Sequence, residues 1–154
     1  MRILILAGMA LLAGCATGPQ NQRATLYVSM NGLQEVPGPG DSHGNGTVEI
    51  NVVPTSGQVC WNLYARQIDP ATAAHIHRGA EGSAGPVVLP LTTPDASGHS
   101  QGCATVDPAL AREIAYQGHS FYANVHTASH PSGAIRGQLR GGPVNRDERP
   151  AAAR

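Results

Sequence analysis

The chain has 154 residues with ten basic and ten acidic side chains, a formal charge of zero, and every basic residue is an arginine. Scattered along the chain, these arginines form no basic patch for nucleic acid or anionic lipid. Nineteen glycines and twelve prolines against one Trp and one Phe argue for many turns and against a mostly helical bundle.

The chain opens with Met1 and Arg2, then the apolar run Ile3 to Ala13. This is the layout of a secretory signal peptide, and the run falls short of the ~20 apolar residues that a transmembrane helix needs. It ends in Leu12-Ala13-Gly14-Cys15, which resembles a bacterial lipobox. That resemblance implies cleavage before Cys15, a diacylglycerol on its thiol and a membrane partner through that lipid. Ala16, rather than Asp, follows the cysteine, which in a two-membrane envelope implies the outer membrane. The expected organisation is a signal peptide over 1–14, a lipidated tether over 15–23, one β domain over 24–140 and a disordered tail over 141–154. Residues 16–23 are small and polar, and the tail has almost no large apolar residue.

From Ala24 onward, apolar residues alternate: Leu26, Val28 and Met30, then Val48, Ile50 and Val52, then Val59, Trp61 and Leu63. Period two predicts strands with one buried face. Clusters such as Pro37 to Asp41 and Pro54 to Gly57 supply the turns. Further strands are expected at Ala73 to His77, Val87 to Leu91, Gly102 to Val106, Phe121 to Thr127 and Ala134 to Leu139. One segment differs. Asp107 as N-cap, Pro108 at the first helical position, Leu110 and Ile114 four apart and Gly118 as terminator predict one short helix. The expected fold is all-β, an antiparallel Greek-key sandwich or barrel of about eight strands with one helix.

With Cys15 assigned to lipid, Cys60 and Cys103 remain as an even pair in an oxidising compartment, and a disulfide is expected between them. Two free thiols or a thiol metal site are the alternatives.

Seven histidines stand in a chain with little other polar chemistry. The two-residue spacing of His75 and His77 puts both imidazoles on one strand face, roughly 7 Å apart at the backbone. Alternation over Phe121 to Thr127 sends Tyr122, Asn124 and His126 away from the expected core. A pair on one strand plus one histidine from another is a pattern that holds Zn²⁺ or Cu²⁺ and leaves a coordination position open. The plainer reading is three strand histidines bonded to nearby backbone groups. His43, His99, His119 and His130 adjoin Gly, Ser or Pro and read as solvated loop residues, with His130 close enough in sequence to His126 to be an accessory ligand.

Five segments carry a resemblance: Gly32 to Pro37 (GLQEVP), Ala73 to Gly79 (AAHIHRG), Gly85 to Val88 (GPVV), Asn124 to Thr127 (NVHT) and Gly133 to Leu139 (GAIRGQL). In this order they resemble the CHRD domain, named after the animal protein chordin and common in exported bacterial proteins, over residues 25 to 140. Family members usually carry Glu where this chain has Ala134. A second similarity, in motif order, is to copper-containing superoxide dismutases, which pair a His-x-His strand with a later Val-His strand, an arginine and a disulfide on a Greek-key barrel. It implies copper at His75, His77 and His126, a small anion in the open position and Arg136 as the group that guides it. An arginine covering apolar surface or pairing with a carboxylate is the alternative for Arg136.

These observations leave an extracytoplasmic copper site, redox-active toward superoxide or buffering copper, against a non-enzymatic binding or scaffold module of the envelope whose protein partner the sequence does not name. Zinc is the alternative metal. Zinc hydrolysis is disfavoured by the lack of a carboxylate base beside the histidines.

Overall fold

A computed structural model describes residues 23–143 of the chain. The expected signal peptide, Cys15 and most of the tail lie outside the described residues. The alternating segments form strands, because each places its apolar side chains on one face. The strands are β1 (Ala24–Asn31), β2 (Asn45–Val53), β3 (Gln58–Arg66), β4 (Ala71–Arg78), β5 (Val87–Leu91), β6 (His99–Thr105), β7 (Phe121–Thr127), β8 (Ile135–Gln138) and β9 (Arg140–Pro143). Leu26 on β1, Val48 and Ile50 on β2 and Leu63 on β3 point inward and are 0–2% exposed.

All pairings are antiparallel, in the order β5-β4-β7-β8-β1-β2-β3-β6, with β9 against β1. The connections from β3 to β4 and from β6 to β7 pass over intervening strands, which gives the Greek-key character. The end strands β5 and β6 touch, and the Ser100 hydroxyl of β6 donates to the Thr92 carbonyl just after β5. The sheet is therefore a nearly closed barrel, as the alternation and the turns predicted.

The helix α1 (Pro108–Tyr116) starts where expected: the Asp107 carboxylate accepts from the Ala109 N–H at 2.7 Å, an N-cap that satisfies one of the free donors of the first turn. Its buried face, Ala111, Ile114 and Ala115, closes the barrel end formed by β1, β2, β3 and β9. Cys60 and Cys103 are directly paired across β3 and β6 and form the expected disulfide. β9 reaches Pro143, opposite Ala24, so the sheet runs beyond the expected limit at 140.

Candidate metal centre

The barrel has a second buried layer, outside the sheet. The outer faces of β4, β7 and β8 carry His77, Tyr122, Asn124, Arg136 and Gln138, all under 9% exposed. Alternation placed these side chains away from the core, as expected for His126, but not under cover. The cover is the loop between β4 and β5. Arg136 Nη2 donates to the carbonyls of Ala80 at 3.1 Å and Ser83 at 2.8 Å, and Gln138 Nε2 donates to that of Gly79 at 2.7 Å. Each bond replaces water on a loop carbonyl with a charged or amide donor, so the loop is strapped down over the strands.

His75, His77 and His126 meet in this layer, each offering one nitrogen, with the three atoms within 4.8 Å of one another. Register explains the meeting: β4 pairs with β7, setting His75 opposite Asn124 and His126 opposite Ala73. The backbone then selects the nitrogens. His77 Nδ1 lies 2.9 Å from the Gly85 carbonyl oxygen and His126 Nδ1 lies 3.0 Å from that of Pro131. A carbonyl only accepts, so both Nδ1 atoms carry the proton and both Nε2 atoms keep their lone pairs. His77 Nε2 is buried with no hydrogen-bond partner. His75 Nδ1 stands 3.2 Å from His126 Nε2 and donates to it, since the latter is the acceptor.

An unpartnered buried nitrogen is costly, and a cation held by the lone pairs of all three rings would remove that cost. Ions bound at about 2.0 Å from imidazole nitrogen fit this set after side-chain shifts of roughly an ångström, with the His75 proton moving to its Nε2. The carbonyls of Gly85 and Pro131 already supply the outer contacts that orient metal-binding imidazoles. Burial lowers the proton affinity of His75, helped by the neighbouring His126 and His77. Burial likewise lowers that of His126, although the Pro131 carbonyl opposes it. Both shifts favour the neutral rings that metals require.

Arg136 is next to this set but separated from it. Its guanidinium carbon lies 3.5 Å over the centre of the Tyr122 ring, and Tyr122 stacks on His77 at 4.7 Å with planes 8° apart. Because β7 lies between β4 and β8, the Tyr122 ring stands between Arg136 and His77. His130 is not part of the cluster. Its carbonyl instead accepts from Thr127 and Gly133.

Sequence reasoning missed Glu35, Tyr122 and Gly85, although each lies in or beside a quoted segment. Glu35 is 5% exposed and its Oε1 has no hydrogen-bond partner. Burial raises its pKa from 4.5 to about 7, against the opposing charge of Arg136. Its carboxylate sits on Gly133, at φ +143°, where any side chain would collide with it. The signal for Glu35 was an acid between apolar Leu33 and Val36 beside a proline turn, which period-two counting does not weigh.

A nearly closed antiparallel barrel with three imidazoles gathered under a loop defines the class: a β-barrel domain with a candidate metal centre on its outer face. The five segments quoted above supply that face, with GLQEVP bringing Glu35, GPVV the Gly85 carbonyl and GAIRGQL Arg136. The model of the CHRD domain family matches residues 26–139, and the chain belongs to that family. No curated protein and no solved structure matches it.

Proposed function

We propose that this CHRD domain holds a copper ion at His75, His77 and His126, outside the cytoplasm, on a chain anchored to the outer membrane through lipid on Cys15. The observations that carry the metal are the buried, unpartnered Nε2 of His77 and the gathering of one ring nitrogen from each of His75, His77 and His126 within 4.8 Å. An all-nitrogen set binds Cu²⁺ more tightly than other divalent first-row ions, which favours copper over zinc. The anchor rests on the Leu12 to Cys15 pattern.

Holding or buffering copper is the reading the geometry supports best. Redox turnover of superoxide is the second, favoured by three protein ligands that leave a coordination position open. The separation of Arg136 from His77 by Tyr122 counts against an arginine guide for the anion.

The test is a titration of chelator-stripped protein with Cu²⁺. One equivalent should bind with nitrogen hyperfine structure in the EPR spectrum, and the His75→Ala, His77→Ala double variant should lose it. Absence of the signal, or its persistence in the double variant, rejects the copper site and leaves the envelope binding module. Superoxide removal by the loaded protein no faster than by its copper-free form rejects the redox reading alone.

A further inference from the structure

The outer face of β1, β2 and β3, on other strands than the histidine cluster, carries an open groove of about 490 Å³. Tyr27 on β1 and Tyr64 on β3 stand at its two sides, 60% and 40% exposed. The register sets Tyr27 opposite Glu49 and Glu49 opposite Asn62, with Thr47 between Ser29 and Tyr64. The tyrosines are thus two strands and two residues apart, a Cα separation of about 12 Å. Between them lies a polar floor of Thr47, Glu49 and Asn62.

Several of these groups are held in place by protein contacts and keep some bonding capacity: Glu49 Oε1 accepts from Asn51 Nδ2 at 2.8 Å, which leaves its Oε2. Tyr64 stacks on His99 with ring centres 4.6 Å apart, so its ring orientation is set before any ligand arrives. His99 Nε2 donates to Asn62 Oδ1 at 2.8 Å, which turns the Asn62 amide and leaves its N–H₂ without a protein partner among the described residues. Arg140 closes one edge, 3.5 Å from Glu81. With Arg140 paired to Glu81, Glu49 is the one uncompensated charge of the lining, which disfavours an anionic ligand.

Exposed flat aromatic faces around hydrogen-bonding groups match a sugar ring, which has an apolar C–H face and a rim of hydroxyls. The volume is that of a small-ligand site, typically about 300–1,000 Å³. We infer that this groove binds a short neutral oligosaccharide, with Tyr27 and Tyr64 as stacking platforms and Glu49 and Asn62 bonding its hydroxyls. The site is independent of the metal centre.

The full-length protein in detergent should be titrated calorimetrically with chitotetraose, cellotetraose and maltotetraose. Saturable binding to at least one is expected, weakened about tenfold by Tyr27→Ala and by Tyr64→Ala and unchanged by the His75→Ala, His77→Ala pair. Both tyrosines are exposed, so the variants should melt as the parent does, which circular dichroism checks. No binding at about 10 mM sugar, or binding indifferent to both tyrosine substitutions, overturns the inference. A parent dimer that Tyr27→Ala dissociates also overturns it, by giving the groove to a second copy.

Discussion

His77 Nδ1 lies 2.9 Å from the carbonyl oxygen of Gly85, eight residues further along the chain. That contact fixes the His77 tautomer and leaves its Nε2 with a free lone pair. A side chain at Gly85 would run into the Arg78 carbonyl, so Gly85→Ala must move the loop and its carbonyl. Copper affinity should fall about 10- to 100-fold, the usual effect of losing an outer contact to a metal-binding histidine. Competition against a chelator of known affinity measures this, and unchanged affinity would show that the carbonyl does not set the site.

His75 and His126 should each make the metal-free protein less stable on acidification. His75 and His126 have folded proton affinities lowered by burial, so the folded state binds fewer protons than the unfolded chain. Stability is then present above the unfolded value, about 6.5, and is lost as pH falls below it. In a Glu35→Gln background, which removes the opposing titration of that acid, urea unfolding from pH 7.5 to 5 should show the decline, and adding His126→Gln should flatten it. Copper should oppose the decline until protons displace it.

Glu35 works in the other direction. Its pKa, raised from 4.5 to about 7 by burial, means that the folded state keeps a proton that the unfolded state releases. Stability from this group is full below pH 4.5 and is lost as pH rises to about 7, by a total on the order of 3 kcal/mol. Glu35→Gln keeps the shape without the charge and should be the more stable protein at pH 8. Parallel stability curves for parent and variant across this range would contradict the buried charge.

Reducing the disulfide, or the Cys60→Ser, Cys103→Ser pair, should lower stability by about 4 kcal/mol in the chain-entropy account of a closed loop of this length. The bond ties β6 to β3 across a separation of 43 residues. Thermal melts with and without reductant give the difference. The histidine cluster lies on other strands, so copper binding to reduced, still-folded protein should persist.

Cys15→Ser should release the chain from the membrane fraction and remove the acyl mass from its mature N-terminus. Fractionation with intact-mass analysis checks both. Membrane retention of the serine variant would reject the lipid anchor.

Much of the fold was legible because its signals are local. Alternation at Leu26, Val28 and Met30 assigns a buried face whatever strand lies alongside, and Asp107-Pro108 starts a helix through bonds within its own first turn. The pairing of His75 with His77 was equally local, as two same-face residues on one strand. The place of His126 beside them depended on β4 meeting β7, a pairing between segments about fifty residues apart that no short-range pattern specifies. The same holds for Tyr122, whose outward parity was clear but whose burial depends on a loop folding over it.

The sequence by itself determined where most of the strands lie, which face of each turns to the core and where the helix begins, while it missed β9 and the start of β6 at His99. These follow from backbone periodicity and capping. Only the tertiary structure decided that the outer face of β4, β7 and β8 is a second buried layer, that Glu35 and Arg136 share it, and which nitrogen of each histidine is free. Those outcomes rest on strand order and on the strapping of the loop after β4, where carbonyls from distant residues satisfy buried donors that would otherwise be left unpaired.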